Sequence, residues 1–319
     1  MRAGALKRWM IEAGKLTPAQ REQVLARLQE GAAQDAVAAV LRSLAQPAAC
    51  PKCQSPQVVR NGQANGLQRF KCRGCGATFN ALTATPMARL RHREKWLLQA
   101  AAMHEGLSVR KAAARMGVHR TTAFRWRHRF LAVPRDTKHG HLTGVVEADE
   151  TYVLRSYKGQ RHLLLADGSR RPRRRGGHAA KRGLSAEQVP VLVVRNRAGQ
   201  TTDFILKSAS ARSLLAVLPA AMADDAVLCT DGSATLAIAA RALDIEHHAL
   251  NTLRGERTRG AWHIQNVNAY HSRFKAWIGR FKGVATSYLP NYLGWFRALD
   301  RNAQSGAGAA SLLTLAISA

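Results

Sequence analysis

Four cysteines stand in two pairs, Cys50-Pro51-Lys52-Cys53 and Cys72-Arg73-Gly74-Cys75, with eighteen residues between the pairs. Two thiolates offered from one tight turn make half of a tetrahedral zinc site, and two such turns complete it. Gly74 and Gly76 give the second turn the backbone freedom that such a knuckle needs. Phe79 is placed to cover the site with an aromatic ring. Two disulfides or four incidental thiols are the competing reading, but cysteines this close together are poor staples for a large basic chain. Cys50, Cys53, Cys72 and Cys75 are therefore read as ligands of a structural Zn2+. Cys229 lies in an apolar run and reads as a small buried residue.

A second chemistry is carried by acids. The chain has only 20 Asp and Glu, so those at the ends of apolar strands stand out. Asp149 is read as closing the first strand, in the run Val145–Val153, and Asp231 as closing Val227-Leu228-Cys229-Thr230. In a meander of three strands followed by helix, strand, helix and strand, those two positions fall side by side. Two neighbouring carboxylates repel each other and are costly to bury without a cation. Hard oxygens suit Mg2+ or Mn2+, and a carboxylate-held ion pair serves phosphoryl transfer. Aspartate is also an ordinary turn residue, which is the competing reading. Asn268 and Lys275 are two helical turns apart and share a face. Asn268 could offer an amide oxygen to a metal and Lys275 could hold a phosphate, though both would also suit a solvated face. Glu150 alternates to the other side of the strand and is left out.

The partner follows from charge. Lys and Arg number 49, the formal net charge is +29, and 46% of the 319 residues are hydrophobic. A chain with a core and this much positive charge needs a polyanion; nucleic acid is the first candidate, and a basic membrane-surface protein is the rival. Residues Met1–Lys15 lack the apolar run of a signal peptide, and Leu312–Ala319 is too short to span a bilayer. The expectation is a soluble cytoplasmic protein without a membrane partner.

The elements that must position these groups read as multidomain α+β. Residues 1–48 predict helices, with Thr17-Pro18 as a start signal, Leu25, Leu28, Val37, Val40, Leu41 and Leu44 at helical spacing, and Gly31 as a break between two helices. Residues 49–82 predict the zinc ribbon, with strands Gln57–Arg60 and Gln68–Lys71 joined through Asn61-Gly62 and Asn65-Gly66 turns. Residues 84–133 predict a helix from His92 to His104, a break at Gly106, a helix capped by Ser108, a turn at Gly117 and a helix from Thr121 to Phe130. That is a helix-turn-helix, with Val118 and Phe124 filling its core and Arg120, Thr121, Thr122, Arg125 and Arg127 facing DNA. A helical hairpin with a solvated basic face is the alternative. Residues 143–300 predict an α/β domain with a mixed five-stranded sheet, interrupted by a mobile arginine-rich stretch, Arg155–Arg182. The tail 302–319 is assigned no structure.

Taken together these motifs resemble a bacterial insertion-sequence transposase with an N-terminal zinc ribbon and an RNase-H-like DDE domain, of the IS fifteen-ninety-five group. The resemblance rests on the cysteine pairs, Glu147-Ala-Asp149-Glu150-Thr151-Tyr152-Val153, Thr230-Asp231-Gly232, His263-x-x-x-Val267-Asn268-x-x-His271-Ser272-x-x-Lys275, and Tyr288-Leu-Pro-Asn-Tyr-Leu-x-Trp295-Phe-Arg297. It implies that Asp149, Asp231 and Asn268 hold Mg2+ or Mn2+ and that Lys275 is the following basic residue. The chain reads D-D-N-K where many relatives read D-D-E-K, and a neutral Asn binds magnesium more weakly than a carboxylate. The resemblance implies DNA 3′-end cleavage and strand transfer, terminal-repeat recognition, nucleoid association and a homo-oligomer that pairs two ends. A catalytically impaired DNA-binding regulator and a nuclease that cuts without joining are the alternatives.

Overall fold

The computed structural model describes residues 3–43, 49–160, 176–181, 183–251 and 254–317. Leu44 and most of the arginine-rich stretch, Arg170–Arg175 included, lie outside the described residues. The chain divides into two compact units, Met1–Arg129 with Ala309–Ala319, and Phe130–Gly308.

The first unit opens with α1 (Ala3–Gly14) and α2 (Pro18–Ser43). Thr17 starts α2 as a capping box: its hydroxyl accepts from the Gln20 amide, and Gln20 Oε1 accepts from the Thr17 amide. Gly31 does not divide the segment, because α2 runs through it unbroken. A glycine inside a helix costs only about 1 kcal/mol against alanine, and the surrounding Ala and Gln favour helix. Val37 and Leu41 are buried, whereas Leu25 and Leu28 are exposed, so the apolar spacing marks a core face only in the second half of α2.

The ribbon is a three-stranded antiparallel sheet, β1 (Val58–Ala64), β2 (Leu67–Cys72) and β3 (Thr78–Asn80). Its hairpin turn is Asn65-Gly66, both at positive φ, 50° and 70°. Asn61-Gly62 is not a turn; it sits inside β1, where the pairing register shifts between Arg60 and Gln63. Next come α3 (Trp96–His104), α4 (Val109–Met116) and α5 (Arg120–Phe130). Ser108 caps α4 by accepting from the Lys111 amide, and Gly117 ends it at φ 59°. Ala112, Ala113, Met116, Ala123 and Trp126 form the core between the helices, with Val118 packed partly against it. Phe124 is only half-buried and lies against His128, 4.5 Å between ring centroids. The tail is not structureless. The helix before it continues to Ser305, and Ala309–Ile317 forms a last helix that packs on α3 and buries Leu312, Leu313, Ala316 and Ile317.

The second unit begins with a short helix, α6 (Ala132–Asp136), and is built on five strands: β4 (Val145–Leu154), β5 (Gln188–Asn196), β6 (Thr201–Ile205), β7 (Val227–Thr230) and β8 (His247–Ala249). Their order is β6-β5-β4-β7-β8. The first three pair antiparallel, and β7 and β8 join parallel to β4. A parallel neighbour needs a crossover, which is why helices lie between the later strands. Those are α7 (Ala211–Leu215), α8 (Leu218–Ala221) and α9 (Ala234–Ala242). Pro219, at the start of α8, accompanies the break in what reads as one helix over 209–222.

Alternation decides which strand residues meet which layer. Val146, Ala148, Leu192, Val194 and Leu228 share a core with α7, α8 and α9. The opposite face carries Glu147 and Asp149 on β4, Arg195 on β5 and Asp203 on β6. It is covered by α10 (Gln265–Gly279) and α11 (Leu289–Ser305). A small hairpin, β9 (Thr258–Arg259) with β10 (Trp262–His263), leads into α10.

Candidate zinc site and carboxylate site

The cysteine cluster fits zinc closely. All four sulfurs lie within 4.8 Å of one another. Cys50 Sγ is 3.7 Å from Cys75 Sγ, and Cys53 Sγ is 3.6 Å from Cys72 Sγ. Four sulfurs ~2.3 Å from a central Zn2+ in a tetrahedron sit ~3.8 Å apart, whereas a disulfide brings them to ~2.05 Å. The cysteines are free thiols. Backbone amides point at the sulfurs: Lys52 N lies 3.4 Å from Cys50 Sγ and Cys75 N 3.5 Å from Cys72 Sγ. The Cys75 amide is the first cause that pulls the Cys72 thiol down to about 6, ready to bind as thiolate. Phe70 and Phe79 pack around the buried Cys50 and Cys72.

In the helix-turn-helix, Arg120, Thr121 and Arg125 are exposed on α5 and Thr122 is half-buried. Arg127 differs from its expected outward position. It is 1% exposed and donates from Nη2 to the Leu107 carbonyl at 2.6 Å. Arg127 lies one position from Trp126 on the inward face of α5, so its guanidinium holds the loop between α3 and α4 rather than reaching solvent.

In the second unit, the last parallel pair of β4 and β7 is Glu147 with Cys229. Two residues further along each strand stand Asp149 and Asp231, so both leave the sheet at one height. β4 does not end at Asp149; it continues to Leu154 against β5, while β7 stops at Thr230. That stop frees the edge of β4 beside Asp149. Gly232 takes φ 83° there, and a side chain on it would meet the Leu250 carbonyl at 3.0 Å, so the turn needs glycine. Asp231 Oδ1 accepts from the Ser233 amide at 3.0 Å, and Asp149 Oδ1 accepts from the Glu150 amide at 2.8 Å.

The carboxylates strain against one another. Burial and then the Asp149 charge push Asp231 upward. Glu150 rises to about 7, first by burial and then through Asp149 and Asp231. Alternation sends Glu150 to the Ala148 face, yet both aspartate charges reach it. Asn268 and Lys275 are exposed on α10, one face apart from the buried side. The α10 residue that meets Asp149 is His271, 5% exposed, with Nδ1 3.3 Å from Asp149 Oδ2. His271 stands in the motif His263–Lys275 on which the resemblance rests, three residues after Asn268 and four before Lys275. Among the described residues, the cysteines are the only set of three or more Cys, His, Asp or Glu whose ligand atoms gather within 4.8 Å.

Three known families match stretches of the chain. Residues 141–297 match the ISXO2-like transposase domain, residues 88–136 a homeodomain-like domain and residues 48–76 the InsA N-terminal domain. The chain carries an ISXO2-like transposase domain behind an InsA-type zinc ribbon and a homeodomain-like domain. A Halobacterium salinarum protein described as "Uncharacterized protein in transposable element ISH50" is 29% identical over 262 residues, covering 78% of this chain and 83% of that protein. The ISXO2-like transposase match begins in the loop before β4 and ends at Arg297 within α11, so it takes in the sheet, both aspartates and α10. No described helix is long and apolar enough to cross a membrane.

Proposed function

We propose that this chain cleaves the 3′ ends of its insertion element and joins them to target DNA. The observation that supports this most is the pair Asp149 and Asp231, set at one height beside a free strand edge and burdened by mutual repulsion. Two repelling carboxylates with an adjacent third acid suit a divalent cation better than they suit bare burial. Asp149, Asp231 and the amide oxygen of Asn268 would hold it, on an RNase-H-like sheet. Mg2+ or Mn2+ bound there would activate the attacking oxygen and neutralise the leaving one.

In the first step water attacks the phosphodiester at the element end and frees a 3′ hydroxyl. In the second, that hydroxyl attacks a target phosphodiester in line, and the target's own 3′ oxygen leaves. Lys275 would hold a backbone phosphate on the solvent side of α10. Arg120, Thr121, Thr122 and Arg125 would contact the terminal repeats, phosphates for register and base edges for sequence. Arg127 would serve α5 from inside. Pairing two element ends calls for a homo-oligomer, and the work places the protein on the nucleoid in the cytoplasm.

Strand transfer on labelled element ends with Mg2+ or Mn2+ tests the reading, with Asp231→Ala and Asn268→Glu beside the native chain. Joined products that vanish in Asp231→Ala are expected. A native chain without product that Asn268→Glu rescues would instead favour a DNA-binding regulator, the reading that the neutral, exposed Asn268 supports. Nicked ends that are never joined would favour a nuclease.

A further inference from the structure

Glu147 is a carboxylate with no exposed surface, and the proposed reaction does not use it. Its Oε2 accepts from the Val267 amide at 2.8 Å, and its Oε1 accepts from Asn266 Nδ2 at 2.9 Å. Arg197, just beyond β5, pairs with the same Oε1 and also donates to the Ala261 carbonyl at 3.0 Å. His263 Nδ1 stands 3.4 Å from that oxygen. Every one of these groups converges on the N-terminus of α10, where the first amides lack helical partners and negative charge is favoured. A strand residue thus caps a helix more than a hundred positions away.

Buried ion pairs are weak devices for stability, since apolar residues of similar size often do as well. What this one fixes is alignment. Val267 sits on Glu147, and His271 sits on Asp149. From Glu147 to Asp149 the strand rises ~6.8 Å. From Val267 to His271 the helix rises ~6 Å. The two elements therefore run side by side in the same direction with matching steps, pinned at two points. Asn268 follows directly on the capped Val267 and stands three residues before His271, so where it sits along β4 depends on the first pin.

We infer that Glu147 is a positioning residue of the carboxylate site: it sets the register of α10 against β4 and so places Asn268 relative to Asp149. The inference rests on the metal reading proposed above. It is tested on the zinc-loaded full chain by titrating Mn2+ calorimetrically and by hydrogen exchange of the 264–272 segment. Glu147→Gln keeps the size and loses the charge. Asp203→Asn is the comparison, because Asp203 is buried in a different ion pair with Arg297 in the same unit. Glu147→Gln, assayed where circular dichroism shows it folded, is expected to weaken Mn2+ binding about 10-fold and to speed exchange in 264–272, as loss of an outer-shell support does. Asp203→Asn is expected to lower the melting temperature with Mn2+ affinity unchanged. Equal loss of affinity in both variants would reduce Glu147 to a stability residue and overturn the inference. Native exchange and native Mn2+ affinity in Glu147→Gln would overturn it too. A native chain that binds no Mn2+ would defeat the metal reading. The exchange rates would then judge the cap alone, and unchanged protection in Glu147→Gln would refute it.

Discussion

Replacing Asp231 with Asn should make the metal-free protein more stable while removing its response to magnesium. Asp231 is pushed upward by burial and by Asp149, so its ionised form costs free energy in the fold. Asn keeps an oxygen for the Ser233 amide, which Asp231 Oδ1 now accepts at 3.0 Å, and drops the charge. The side chain is half-buried, so solvent screens the repulsion, and the relief at neutral pH is about 1 kcal/mol. In a unit of this size that is about 2–4 °C of melting temperature. The sign with pH follows from the raised groups. A carboxyl whose folded value lies above its unfolded value stabilises most below the unfolded value, near 4, and that stability fades as pH rises through the folded value. For Glu150 the folded value is about 7. The metal-free native chain should therefore melt lower at pH 7.5 than at pH 5.5, with Asp231→Asn flattening the slope. Mg2+ at a hundred times its dissociation constant should add about 2.7 kcal/mol to the native chain and far less to the variant. Differential scanning calorimetry at both pH values, with and without Mg2+, reads all four cases. A variant that melts below the native chain without metal, or that gains as much from Mg2+, would refute the reasoning.

The remaining predictions concern the parts that carry and steady this site. Cys72→Ser should release the single equivalent of zinc, measured with a chromogenic chelator, and weaken DNA-end binding while the circular dichroism of the α/β unit persists. Arg297→Leu leaves Asp203 buried without its partner and strips donors from the Pro134, Arg135 and Thr137 carbonyls, so it should cost about 3–5 kcal/mol in denaturant unfolding. Arg125→Ala should lower DNA affinity and reduce the slope of log affinity against log salt by about one contact. Arg127→Ala should instead lower stability, because its guanidinium is buried on the Leu107 carbonyl.

What could be read from the chain, and what could not, divides by the range of the interaction. Ser108, Gly117, Asn65-Gly66 and Thr17 act within a few residues, so capping and turn chemistry locate them directly. The strands around Asp149 and Asp231 announce themselves as apolar runs, and the mixed five-stranded sheet follows from their order. Local signals also fail where an element runs through them, as at Gly31 in α2 and Asn61-Gly62 in β1, and the other failures are long-range. Nothing local tells that the last helix, Ala309–Ile317, returns to cover α3; its short apolar run has no partner in sequence and needs one in space. Nothing local tells that Arg127 turns inward, because an arginine beside Trp126 reads like its exposed neighbour Arg125 until the Leu107 carbonyl is seen to accept from it. Glu147 was visible as an acid in an apolar strand, two residues before Asp149 and so on the same face. That placement alone cannot say whether such an acid binds a cation or braces a helix. The partners distinguish them: Glu147 is already filled by a guanidinium, a side-chain amide and a helix amide, whereas Asp149 meets the Glu150 amide and the His271 ring, and Asp231 accepts from the Ser233 amide and is pushed upward by burial and by the Asp149 charge. Acid spacing therefore finds the neighbourhood of the proposed site, and the partners of each acid separate the one that braces the helix from those proposed to bind.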